Sequence, residues 1–158
     1  MNKIYSSKEI TLQKLQHYCG YQDRSQKQVE KKLYELKCGR EIADEITLEL
    51  IKSGYLNEER FARSFVRGKF RINHWGKKKI IHELEVHGIT GKLVQIALQE
   101  ISDEEYENEA FKQIISLAQN SKEIDFAAKQ KIFRSLYQKG FESELIHSLM
   151  DQYFIKKW

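Results

Sequence analysis

Apolar residues recur along this 158-residue chain at spacings of three and four, the pattern of helices that bury one face. A longer period runs beneath that one. Val29, Leu33, Cys38, Ile42 and Ile46 align with Ile80, Leu84, Ile89, Leu93 and Ala97 at an offset of 51 residues. Ile132, Leu136, Phe141, Leu145 and Leu149 form a third copy 52 residues further on. Each copy reads as two amphipathic helices joined by a tight turn. Gly88 and Gly140 stand immediately before the central apolar residue in two copies, and Lys37 takes that place in the first. Glycine suits such a turn because it accepts the left-handed backbone that follows a helix end.

A further helix precedes each pair. Leu12, Leu15 and Tyr18 mark the first of these. The second begins at Asn57 and carries Phe61, Ala62, Phe65 and Val66 on one side; the third contains Ala110, Phe111, Ile114, Leu117 and Ala118. Ser6 with Glu9, Ser25 with Gln28, and Ser102 with Glu105 fit capping boxes, and Asn57 precedes two glutamates that suit a helix dipole. No stretch sustains a period of two, so little or no sheet is expected. The pattern predicts about nine helices in an elongated all-α array of three tandem three-helix, helix-turn-helix-like modules, over residues 1–53, 54–101 and 102–158. One such module buries little core alone, so neighbours should dock.

Composition narrows the class. Proline is absent, against a usual content of roughly 5%, which favours short connections between helices. No apolar run approaches the roughly 20 residues of a membrane span, and the polar start MNKIYSSKEI lacks a signal-peptide core. The expectation is a cytoplasmic protein with no membrane partner. Cys19 and Cys38 have neither metal nor redox spacing, so both read as reduced and Cys38 as a small core residue. His82 and His87 flank a near-zincin run, but five helical residues place them about 140° apart and they cannot chelate one ion. No metal or cofactor is expected. Nothing combines a nucleophile with a base, cradles a phosphate on glycines or pairs two acids, so the chain is not read as an enzyme.

Charge then singles out one stretch. Between Arg60 and His82 lie eight cations and no acid, against +4 for the whole chain, leaving 8 − 4 = 4 net negative charges elsewhere. Arg60, Arg63, Arg67 and Arg71 are spaced by three, four and four, which aligns four guanidinium groups along one helix face. Phe61 and Phe65 lie on another face and read as core. Lys77, Lys78 and Lys79 open the next helix, whose amino-terminal end would add its dipole and free N–H groups. Trp75 sits in the loop between, placed to stack on a base or partner or to pack between modules. With Lys69, these residues form a candidate surface for a polyanion or acidic partner; the competing reading is an ordinary solvated helix face. Glu100, Asp103, Glu104, Glu105, Glu107 and Glu109 are the opposite pole, either a solvated helix start or a docking surface for a neighbouring basic face.

The run Gly54-Tyr55-Leu56-Asn57-Glu58-Glu59-Arg60-Phe61-Ala62, followed by Phe65-Val66-Arg67, resembles the signature of the RecX regulatory proteins. Gly76, Lys79-Ile80, Glu83-Leu84 and Gly88-Ile89 continue the resemblance, as does Arg24-Ser25 upstream of Leu33. It is specific from about residue 24 to 89. Beyond that it is carried by the repeat. His74 departs from it, standing where the family often has glycine. The resemblance implies tandem three-helix modules and a modulator of RecA recombinase that binds RecA–DNA filaments, inhibits recombination and also binds DNA. On that reading the candidate surface meets the RecA filament or DNA, single- or double-stranded and without sequence preference, as a monomer. A stand-alone helix-turn-helix DNA-binding protein and a helical-repeat scaffold are the alternatives.

Overall fold

The computed structural model describes residues 3–155. Among them are nine helices and no strand: α1 (Lys3–Tyr21), α2 (Gln26–Glu35), α3 (Arg40–Lys52), α4 (Glu58–Arg71), α5 (Lys77–Val86), α6 (Lys92–Leu98), α7 (Asp103–Gln119), α8 (Phe126–Gln138) and α9 (Ser143–Ile155). They form three successive sets of three, as the period predicts.

Most helix starts are those expected. Ser25 and Gln28 exchange both bonds of a capping box, at 2.9 and 3.1 Å. Asn57 is the residue before α4 rather than its first turn, and its Oδ1 accepts from the Arg60 N–H at 2.9 Å. Ser102 accepts from the Glu105 N–H at 3.1 Å. The Glu105 carboxylate, however, turns to Arg71 instead of completing the box. One expectation fails: α1 already runs from Lys3, so Ser6 lies inside the helix and does not cap it. The Ser6 side chain is outside the described residues, as are residues 1–2 and 156–158 of the outer predicted modules.

The turns inside the three repeated helix pairs share one geometry. Lys37, Gly88 and Gly140 have φ of 56°, 79° and 99°. The next residue closes each turn: Cys38, Ile89 and Phe141 donate to the carbonyls of Leu33, Leu84 and Leu136 at 3.1, 2.9 and 3.1 Å. Glycine reaches this left-handed region freely; Lys37 does so against its Cβ.

By compactness the chain divides into two units, Met1–Phe65 with Leu84–Ala97, and Val66–Glu83 with Leu98–Trp158. In the first, α1, α2 and α3 pack pairwise around Leu15, Cys19, Val29, Leu33, Ile46, Leu50 and Leu56. Full burial of each such aliphatic side chain contributes about 1.5–3 kcal/mol. Cys38 packs partly buried against this core, and both cysteines are free thiols. Phe61 is buried and Phe65 half-buried, and the His87 ring meets their edges at 5.3 and 5.4 Å. In the second unit, α7 packs on α8 and α9 around Ala110, Ile114, Ile132, Leu136 and Ile146. No described helix is long and apolar enough to cross a membrane.

Candidate basic interface

Two of the candidate cations belong to the first unit, and both have local work. The Arg60 Nε donates to Asp23 at 2.7 Å, and its Nη2 donates to the carbonyls of Gly54 and Tyr55 at 2.9 and 3.1 Å. The guanidinium thus ties down the loop ahead of α4. Arg63 pairs with Glu59 one turn back at 3.2 Å.

The remaining candidates lie in the second unit, where the acidic stretch meets the basic one. Arg67 pairs with Glu100 at 3.2 Å and Arg71 with Glu105 at 3.1 Å. His74 Nδ1 lies 2.8 Å from Glu109, and the Lys77 ammonium 3.8 Å from Asp103. The acids at the start of α7 therefore clamp onto the end of α4 and the start of α5. These pairs are largely solvent-facing, so each contributes at most about 1 kcal/mol. Their chemical consequence is larger: Arg67, Arg71 and Lys77 already face carboxylates.

Aromatic rings hold the other lysines. The Trp75 ring, half-buried after α4, has the Lys69 ammonium 4.8 Å and the Lys79 ammonium 4.3 Å from its centre. Lys78 is exposed, with its ammonium 5.9 Å from the centre of Tyr137 on α8. A cation over an aromatic face keeps its charge and its outward N–H donors, so Lys78 and Lys79 remain able to meet an anionic ligand. Trp75 reaches this position through the turn that ends α4. His74 adopts φ 59° there, its N–H donates to Phe70, and the Trp75 N–H reaches back to Lys69 at 3.0 Å. Histidine stands in a conformation that glycine occupies more cheaply, at the position where the sequence departs from the RecX pattern.

The expectation of free N–H groups at the start of α5 is corrected. The Gly76 N–H donates to Lys139 at 2.7 Å, the Lys77 N–H to the Tyr106 hydroxyl at 2.9 Å, and the Lys78 N–H to Gly140 at 3.0 Å. Tyr106 in turn donates to Glu142 at 2.7 Å and packs between Phe70 and Phe141. Burial, chiefly, drives its phenol pKa well above the usual tyrosine value; the acceptor Glu142 adds to the rise. The dipole end of α5 is thus consumed by packing, and only the lysine side chains offer charge outward. Sequence reasoning missed Tyr106 and Tyr137, because partners on α7 and α8 leave no local spacing signal.

The fold defines an all-α protein of tandem three-helix modules. Family models agree: RecX, second three-helix domain, matches residues 57–98, and RecX, third three-helix domain, matches residues 103–150. The chain belongs to the RecX family of regulatory proteins. It is 28% identical over 141 residues to the regulatory protein RecX of Lactobacillus gasseri, covering 89% of this chain and 52% of that protein. Against the RecX of Oceanobacillus iheyensis it is 32% identical over 138 residues, covering 86% and 50%. The chain thus spans about half the length of these curated relatives. The crystal structure of RecX from Lactobacillus salivarius superposes with a TM-score of 0.86 at 25% identity, covering 96% of this chain and 99% of that one.

Proposed function

We propose that this protein is a non-enzymatic regulator that binds RecA–DNA filaments and restrains RecA recombinase. Family membership supports the partner, because modulation of RecA is what the RecX resemblance implies. The observation that carries the contact surface is the set of lysines Lys69, Lys78 and Lys79 gathered on Trp75 and Tyr137. Trp75 and these lysines form its centre. Arg67, Arg71 and Lys77 border it, and each must exchange its carboxylate partner to join a contact. Arg60 and Arg63, the remaining residues of the predicted set, belong to the other unit and are engaged there by Asp23 and Glu59. The ion pairs on Arg67 and Arg71 also give those two residues a structural role, since they hold α4 to α7.

The test is RecA ATPase on single-stranded DNA, titrated with this protein at several salt concentrations. Wild type lowers the rate, and the Lys78→Gln/Lys79→Gln variant needs at least about tenfold more protein for the same effect. No effect of wild type at any concentration overturns the RecA reading. Full potency of the variant overturns the surface while leaving the partner intact. Glutamine is chosen because the net charge stays positive, 4 − 2 = +2. Direct DNA binding through Lys69, Lys78 and Lys79 would give a log–log salt slope of about −2 on single strands.

A further inference from the structure

A second cationic surface lies on the first module, in a groove of about 700 Å³ between α1 and α2. That volume is within the range of about 300–1,000 Å³ typical of small-ligand sites. Lys14, Arg24 and Lys32 line it, and no carboxylate does. The neighbouring carboxylate of Asp23 is occupied, one oxygen by Arg60 at 2.7 Å and the other by the Ser64 hydroxyl at 3.0 Å. The charged side chains lining the groove are therefore all cationic.

Aromatic rings are interleaved with these cations. The Arg24 guanidinium carbon lies 3.8 Å from the centre of the Tyr18 ring, and its Nε donates to the Tyr18 carbonyl at 3.0 Å. Those two contacts hold the fork flat and fixed, the state in which a guanidinium best meets a phosphate. Lys32 approaches the same ring at 5.6 Å. Tyr21, at the end of α1, is 80% exposed and lies at the groove edge. A fixed cationic fork beside an uncovered aromatic face has the two elements that single-strand binding uses, charge for the backbone and a ring for a base.

We propose that this groove binds a single strand of nucleic acid, with a base stacked on Tyr21 and the flanking phosphates met by Lys14, Arg24 and Lys32. A duplex buries its base faces and has no use for Tyr21. An acidic peptide would engage the cations and leave the ring idle. The inference stands apart from the Lys69–Lys79 surface and from RecA, so failure of the filament reading leaves it unchanged.

The test uses the full chain and a fluorescein-labelled oligothymidylate, followed by anisotropy across a salt series, with far-ultraviolet circular dichroism confirming each variant's fold. Tyr21→Ala is expected to weaken binding by about fivefold or more, and Tyr21→Phe to restore it. Lys14→Gln/Lys32→Gln should flatten the log–log salt slope by about 1.4, two phosphates at about 0.7 each. Wild-type protein that fails to bind the oligonucleotide, or variants that bind it as wild type does, would overturn the proposal. So would a duplex bound as tightly as the single strand. A polyglutamate peptide whose binding depends on Lys14 and Lys32, while the oligonucleotide's does not, assigns the groove to an acidic protein instead.

Discussion

Gly76 and Gly140 make a close backbone approach in the second unit. A Cβ on Gly76 would stand 2.3 Å from the Gly140 carbonyl carbon and the Phe141 nitrogen, atoms that cannot swing aside. Gly76→Ala should therefore cost about 3 kcal/mol, read as a lower urea midpoint. Lys37 presents the opposite case, since it holds φ 56° at the turn where the other two copies place glycine. Lys37→Gly should stabilise the protein by about 1 kcal/mol, and a lower midpoint would refute the strain argument. The sequence revealed the turn at all three positions, because the period aligned them. It did not reveal the approach of Gly76 to Gly140, which involves residues 64 apart. Tyr106 adds a pH signature. Its folded pKa lies above the unfolded value of 10.0, so its contribution is complete below that pH. As pH rises further, the unfolded chain loses its phenol proton while the folded chain keeps it, and stability falls. Tyr106→Phe should lessen the alkaline decline seen in urea titrations above pH 10, at the expense of about 1–2 kcal/mol at neutral pH from the stranded Glu142 and Lys77 groups.

Among the elements, α7 changed most between sequence and structure. Its acidic first turn reads in isolation as a solvated helix start with a favourable dipole. In the fold that same turn supplies Glu105 and, just ahead of it, Glu100 to the arginines of α4. Arg71→Glu should destabilise the protein, and adding Glu105→Arg should restore most of the loss. The coupling in that double-mutant cycle should be no more than about 1 kcal/mol and should shrink in high salt. A cycle with no coupling would show that the pair is incidental. The helix positions themselves needed no such knowledge. Periodicity located the helices of all three sets, and Ser25, Asn57 and Ser102 marked starts that the hydrogen bonds bear out. Ser6 misled because a serine followed by a glutamate three residues on also fits the interior of a longer helix.

For the whole molecule, charge shows how far a linear reading reaches. The basic window looked unbalanced because its acids lie outside it, those of Arg67, Arg71 and Lys77 about thirty residues downstream. In the second unit Arg67, Lys69, Arg71, Lys77, Lys78 and Lys79 number six, and so do the acids from Glu100 to Glu109. The outward-facing cations are therefore fewer than the sequence implies, and Lys78→Gln/Lys79→Gln should test them with little structural cost. That variant's thermal midpoint should correspond to a change within about 0.5 kcal/mol, as for most surface substitutions. A larger drop would mean that the aromatic contacts of these lysines hold the fold instead of presenting charge. By itself the sequence determined the all-α class, the repeat of three-helix sets, most of the core and the RecX family. Those properties rest on spacing within about fifty residues, which a chain displays in order. Which cations are neutralised, where Tyr106 anchors α5 and how α1 and α2 frame a groove were decided only by tertiary structure. Each depends on side chains brought together by packing, and no spacing along the chain encodes that meeting.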